Sequence, residues 1–522
     1  MISATSHLLF PRLSCSRHNL ILQLFLFATC SHLTLYAQPT RSSIDSLTTI
    51  AKRQLASGEI DSAKDSFKAA LDFDKKDNAA LMGLGEAYFA EKDWAPARDA
   101  FVKVLRATPD NLDAHYYAAI SYRELGKTRA WVMRFDDWRN ARKHFQAVTA
   151  ADSLFKDILY QFSILEEYDK EFEHALELAH AGLRLRKELV EPQMGLFNLY
   201  NHFICVTDTE TSSTWLRSHP SSFARYFSGE LFRINERPDD ARNIFESMLR
   251  TDTIVPRQAI LLSLVRLKVF AGDTSSAERL YWQAVEEVHS PVGTALIFED
   301  LKYIMSDEEL HTYNSLSSVE RKLSFFRAFW NIRNPIAGSS TNDRLIEHYR
   351  RMLYAEKNHA YFWFHNKFNG ADWRAALHFP ESYSLNQRFS DRGLIYVRHG
   401  PPNQIERAAG IGLTDLFVDD ISTRELLIQT SHHESRDSSL SKWSDPNESW
   451  VYFETPESPR WIFNFVLSDG NWRLAPLPTD RRMYEALASW DPRYGRLSSS
   501  VQFEQMNTGA TLTEVSRDNV SI

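Results

Sequence analysis

Cysteine is scarce: the chain has three in 522 residues, and Cys15 and Cys30 both fall in an N-terminal stretch that reads as a removable leader. Cys205 is then left alone, so no internal disulfide is available. It sits in the apolar run Phe203-Ile204-Cys205-Val206, the setting of a small buried hydrophobe and not of an activated nucleophile. No charge sign dominates either. The 60 basic and 68 acidic residues are interspersed, for a formal net charge of -8, and leave no electrostatic footprint for a phosphate backbone or an anionic membrane surface. Nucleic acid is therefore not an expected partner. Long apolar runs are missing as well: the best, Leu20 to Ala37, is interrupted by Gln23, Ser31 and His32 and is a poor membrane span.

The flanks of that run fit an export signal over residues 1–37: Arg12 and Arg17 precede it, the first acidic residue is Asp45, and Ala37 before Gln38 suits cleavage. The expected location is periplasmic, outer-membrane-associated or extracellular, with no stable membrane span in the mature chain. Phe27-Ala28-Thr29-Cys30 fits a lipid-attachment signal poorly. Catalytic signatures are also lacking. There is no Gly-x-Ser-x-Gly elbow, phosphate-cradling loop, dinucleotide fingerprint or paired-cysteine metal motif, and no cofactor or metal is expected. His432-His433-Glu434 lacks the helical His-Glu-x-x-His spacing and reads as a polar loop. These absences argue against the common enzyme classes. The length predicts more than one domain, and an apolar fraction of 43% is ample for folded structure.

What is present begins with a period. Ala63, Phe67 and Ala70 are answered in register by Ala97, Phe101 and Val104. The second copy adds Leu81, Leu84-Gly85 and Tyr88 before these and Pro109 after them. In this order the residues resemble the tetratricopeptide repeat, in which small side chains let two helices approach and aromatics fill the gap between layers. A third copy starts at Ala118, Ala119 and Tyr122 and resumes at Ala141, Phe145 and Val148, with an insertion carrying Trp131, Phe135 and Trp138. Weaker echoes at Ala175, Ala179, Gly229, Phe232, Ala241, Phe245, Ala277, Tyr281 and Ala284 extend the pattern to roughly six helical pairs. By the family's geometry the first helix of each pair lines a concave face, which presents Met82, Glu86 and Phe89 and then Tyr116, Ile120 and Arg123 to a protein partner; the alternative for several of them is packing between repeats. The resemblance does not extend to the lysine and asparagine clamp that some repeats of this kind use for a C-terminal carboxylate, because Thr48, Gly83 and Tyr117 stand at the relevant positions.

After about Pro291 the small-residue periodicity gives way to aromatics, prolines and short alternating runs. Residues 320–356 read as helices broken at Asn334-Pro335, with Thr341-Asn342 as the next cap. Leu394 to His399 alternates like a strand ended by Gly400-Pro401-Pro402, and Trp461 to Leu467 with Trp472 to Leu474 looks like a hairpin. The tryptophan-rich stretch from Trp443 to Trp490 fits an aromatic core better than a sugar-stacking surface. Four blocks resemble the GWxTD domain family of bacterial, often Bacteroidetes, proteins, which frequently carries tetratricopeptide repeats: Phe329-Trp330-Asn331-Ile332-Arg333-Asn334-Pro335; Glu347-His348-Tyr349-Arg350-Arg351; Asp391-Arg392-Gly393 through Arg398-His399-Gly400-Pro401-Pro402; and Trp450-Val451-Tyr452. In the naming motif Gln387-Arg388-Phe389-Ser390-Asp391 keeps only the aspartate. The resemblance implies architecture and setting but supplies no reaction.

The expected fold is multidomain: an all-α superhelical repeat solenoid over residues 38–290, a smaller mixed α/β (α+β) domain over 291–495, and a polar tail from 496, expected to be mobile. The expected work is non-enzymatic, a scaffold of the bacterial envelope or exterior that grips a protein partner. The alternative is a hydrolase-like or glycan-binding C-terminal domain. The signature cluster Asp391, Arg392, Gly393, Arg398, Gly400 and Pro401 is the place to separate the two, because a strand there puts Arg392 and Arg398 on one side and His399 on the other.

Overall fold

The computed structural model describes residues 41–129, 131–187, 189–334, 341–361, 381–408, 447–453, 461–468 and 471–474. The expected leader, the polar tail and the His432-His433-Glu434 cluster lie outside these residues. Among the described residues no helix is long and apolar enough to cross a membrane. The chain divides into two compact units, residues 1–126 with 131–152 and residues 127–130 with 153–522.

The first unit is a run of antiparallel helical pairs: α1 (Arg41–Ala56) with α2 (Ile60–Phe73), α3 (Asn78–Ala90) with α4 (Trp94–Ala107), then α5 (Leu112–Thr128) and α6 (Trp131–Ala151). α3 and α4 close through a contact the sequence encodes locally. A Cβ on Gly85 would come within 2.6 Å of the Phe101 ring, so the absence of a side chain on α3 is what lets the buried phenylalanine of α4 seat. Asp77 caps α3 by accepting from Ala80 N at 2.8 Å. α4 ends at Ala107, two residues before Pro109. The insertion in the third copy lengthens a helix: α6 has 21 residues, and Trp138 donates from Nε1 to Arg123 O at 3.1 Å while its indole fills the space over Gly126.

The second unit continues with the pairs α7 (Ile158–Tyr168) and α8 (Phe172–Leu185), α9 (Val190–Val206) and α10 (Thr209–Ser218), α11 (Ser222–Ile234) and α12 (Pro238–Thr251), and α13 (Arg257–Phe270) and α14 (Thr274–Glu286). Gly229 and Phe245 repeat the Gly85 and Phe101 contact, again at 2.6 Å. α15 (Pro291–Leu301), α16 (Asp307–Ser315), α17 (Val319–Ile332) and α18 (Asp343–Asn358) follow, and one apolar core runs unbroken from Ala175 to Val397 across residue 290. Asn342 caps α18, accepting from Leu345 N at 3.1 Å. α19 (Asp391–His399) then leads into a four-stranded antiparallel sheet of order β1-β2-β3-β4: β1 (Gln404–Ala408), β2 (Asn447–Tyr452), β3 (Trp461–Ser468) and β4 (Asn471–Leu474). The alternate residues Trp450, Tyr452, Trp461, Phe463 and Phe465 form one buried face with Ile395 of α19, which places these tryptophans in a core. β3 and β4 form the expected hairpin.

The strand expected from Leu394 to His399 is a helix. Ser390 caps it, accepting from Gly393 N at 3.4 Å, Asp391 stands in its first turn, Arg398 and His399 in its last, and Gly400 ends it at φ 82°. Six residues of alternation are too few to outweigh start and stop signals at both ends.

Candidate functional site

In the first unit the first helices of successive pairs leave an open groove of about 560 Å³, lined by Lys52 and Leu55 of α1, by Asn78, Met82, Gly83 and Glu86 of α3, and by Asn111. Asn111 caps α5, accepting from Ala114 N at 2.9 Å. Met82 supplies an adaptable apolar surface to this groove, and Lys52 and Glu86 supply opposite charges. The Asn78 Oδ1 is buried without a hydrogen-bond partner. A buried acceptor left unmade costs free energy that a bound donor recovers.

Of the six residues expected on this face, Met82 and Glu86 line the groove. Phe89 packs edge-on against Trp94 and Tyr117, with ring centroids 5.2 and 5.0 Å away. Tyr116, Ile120 and Arg123 are buried, at 8%, 5% and 6% exposure, and Arg123 pairs with Glu124 at 2.8 Å. Lys52, Asn78 and Asn111 are groove residues that the sequence reading misses. Their signal is present, since Lys52 and Glu86 stand at equivalent repeat positions and the asparagines at helix starts.

The C-terminal signature residues come together around α19, but as parts of the fold. Asp391, 3% exposed, accepts from Leu474 N at 2.9 Å and pins β4 to the helix. Arg392 reaches Glu448 at 3.2 Å and lies 4.4 Å over the Trp472 ring. Gly393 makes room for His359 and Phe389, since a Cβ there would meet their Cβ atoms at 2.7 and 2.9 Å. Arg398, 1% exposed, donates through Nη1 to the carbonyls of Tyr303 and Met305, both at 3.2 Å. Gly400 turns the chain at positive φ where the Arg351 guanidinium crowds it, and its carbonyl accepts from Tyr452 OH at 2.9 Å. Pro401 follows at the exposed turn. On a helix Asp391 shares its face with Arg398, and Arg392 shares its face with His399, the reverse of the strand expectation.

Sequence reasoning misses the buried ion pairs that hold the second unit. Arg233 bridges Glu230 and Glu356 at 2.7 and 2.8 Å, and Arg388 joins Glu356 at 2.9 Å. Burial opposes ionisation of Glu356, but Arg233 and Arg388 outweigh it and hold the carboxyl at about 2. Arg266 meets Asp300 at 2.5 Å, and Asp300 also accepts from Tyr349 OH and, through its carbonyl, from His348 Nε2. Burial pushes the Cys205 thiol up to about 12, far from a nucleophile's range. Among the described residues no group of three or more His, Cys, Asp or Glu is placed to hold a metal ion.

Residues 48–111, the span that builds the groove, match the tetratricopeptide repeat family. No curated protein matches the chain. Similar solved structures include a thermophilic repeat protein of Thermus thermophilus, at 15% identity over 43% of this chain and 97% of that one with a TM-score of 0.27. A tetratricopeptide repeat protein from Parabacteroides merdae gives 15% identity over 49% and 97%, with a TM-score of 0.28. The Pseudomonas aeruginosa protein pilF gives 14% identity over 40% and 91%, with a TM-score of 0.28.

Proposed function

We propose that the chain is a protein-interaction scaffold whose groove between α1, α3 and the start of α5 takes an extended segment of a partner protein. The observation that carries this reading is the groove itself: an open, mixed apolar and polar surface built by the residues that match the repeat family, with the unpartnered Asn78 Oδ1 in its wall. A side-chain amide beside a methionine suits an extended peptide, whose backbone N–H is a hydrogen-bond donor and whose side chains can be apolar. The filled surroundings of Asp391 and Arg398 favour this reading over a hydrolase centred on the C-terminal cluster. The leader-like N-terminus supports export to the bacterial envelope or exterior, and the four signature blocks support a GWxTD-like module after the repeats, presenting or docking what the groove holds.

A photoreactive phenylalanine analogue at position 82 tests the groove. Cross-linked peptides mapped by mass spectrometry are expected to fall on one segment of one partner, and to vanish when Asn78→Ala is combined with Glu86→Lys. Cross-links scattered over many proteins, or indifferent to those substitutions, would sink the docking reading. Mass spectrometry of the chain recovered from envelope and medium fractions is expected to show a mature start near Gln38; an uncleaved chain confined to the cytoplasm removes the export part.

A further inference from the structure

α18 carries Arg344, His348 and Arg351 on one face, at i, i+4 and i+7. The C-terminal end of α19 lies over this face: Arg351 donates to Arg398 O at 3.1 Å, and its guanidinium fills the place a Cβ on Gly400 would take, 2.8 Å away. Four guanidinium groups are gathered here, from Arg333, Arg344, Arg351 and Arg398, and two of them have carboxylates. Arg333 takes Glu309 at 2.7 Å and Arg351 takes Glu347 at 2.8 Å. Arg344 is 7% exposed, and no side chain or carbonyl partner meets its Nη1. The Nε of Arg398 and the Nε2 of His399 are buried beside it without partners. A buried cation with no paired counter-charge is the most expensive arrangement in a protein interior, and donors left unmade around it add to the cost.

We propose that this cluster binds a compact oxyanion, gripped by the Arg344 guanidinium with Arg351 and His399 at its side. A planar guanidinium fork meets two oxygens of a phosphate or a carboxylate equally well, so the ligand chemistry is that of a phosphoryl group or a carboxylate. At 7% exposure Arg344 admits an ion or the terminal group of a small molecule and excludes a polyanionic backbone. Burial first, then the neighbouring Arg351 and Arg333, lower Arg344 to about 9, and burial with Arg398, Arg351 and Arg344 lowers His399 well below its ordinary value; a bound anion reverses the charge contribution to both. This site is independent of the groove in the first unit.

The full chain, dialysed into bis-Tris chloride at fixed ionic strength, is titrated separately with inorganic phosphate and with acetate, followed by thermal unfolding and calorimetry. A saturable rise in Tm with at least one of them is expected, and the responding anion identifies the phosphoryl or the carboxylate class. Binding is expected to weaken at least tenfold in Arg344→Gln. Arg344→Met gives a second reading: without oxyanion its Tm should equal or exceed the wild type, because an unpaired charge has been removed, and at saturating oxyanion the order should reverse. Should Arg344→Met not fold, Arg344→Lys keeps the charge without the fork and is expected to bind more weakly than the wild type. Phosphorus NMR line broadening by the wild-type chain is a direct check of the phosphate arm. No saturable response to either anion, or the same response in Arg344→Gln as in the wild type, overturns the proposal.

Discussion

The two units solve the same packing problem with different materials. In the first, helices meet where a glycine or alanine faces a phenylalanine of the neighbouring helix, as Gly85 faces Phe101, and nearly every charge stays at the surface. In the second the same contact recurs at Gly229 and Phe245, but charges are also drawn inside, where Glu230, Arg233, Glu356 and Arg388 form a buried chain of ion pairs. Apolar packing is non-directional and tolerant, whereas a buried ion pair stabilises only while every member has its partner. The first unit should therefore fail by degrees and the second abruptly.

The largest expected effect tests the second half of that contrast. Glu356→Ala leaves Arg388 in the interior without a carboxylate and Arg233 with Glu230 alone, and is expected to cost about 3–5 kcal/mol in urea unfolding of the full chain. A loss below about 1 kcal/mol would mean that solvent reaches those guanidinium groups and that the contrast is wrong.

Gly85→Ala should cost the first unit less, about 1–3 kcal/mol, because the new methyl must displace the Phe101 ring. Gly58→Ala is the control: nothing lies within 4 Å of its added Cβ, and only its positive φ of 82° resists the change. A loss below about 0.5 kcal/mol for Gly85→Ala would show that close packing is not what Gly85 supplies.

Acid should separate the units by slope. Burial, and after it Arg344, lowers His348 to about 3 from an ordinary 6.5, so the folded second unit keeps it neutral while the unfolded chain protonates it. That contribution is complete above pH 6.5 and is lost as pH falls toward 3, at up to about 1.4 kcal/mol per pH unit. His348→Asn is expected to flatten the fall in unfolding free energy between about pH 6.5 and about pH 4.5. An unchanged slope would show that the buried imidazole takes up its proton without unfolding.

The smallest effect belongs to the groove. Asn78→Ala removes an acceptor that has no partner, and stability should change by less than about 0.5 kcal/mol. A loss above about 1 kcal/mol, measured by the same unfolding curves, would make Asn78 a structural residue and weaken its place in a docking surface.

How much of this is legible follows from the same contrast. Repeat contacts are local and periodic: Phe101 follows Gly85 by a fixed interval that recurs between Gly229 and Phe245, so the helices and part of the groove, Met82 and Glu86, can be named from the sequence. Burial of Tyr116, Ile120 and Arg123 cannot, because whether a face stays open depends on what packs over it. The helix at α19 reads as a strand because Leu394 to His399 satisfies a two-residue and a 3.6-residue period equally, and only Ser390 and Gly400, residues at its borders, decide between them. Arg233 and Glu356 carry no periodic signal at all, being 123 positions apart.

By itself the sequence determined the helical pairs, their small-for-large contacts and the alternating aromatic face of the sheet, since each rests on residues within a few turns or one strand of each other. Only the tertiary structure decided which face of the repeats stays open, which charges are paired inside, and that Arg344 is buried with no carboxylate of its own. Those outcomes depend on burial, and burial is a property of everything that surrounds a side chain, which a local pattern does not contain.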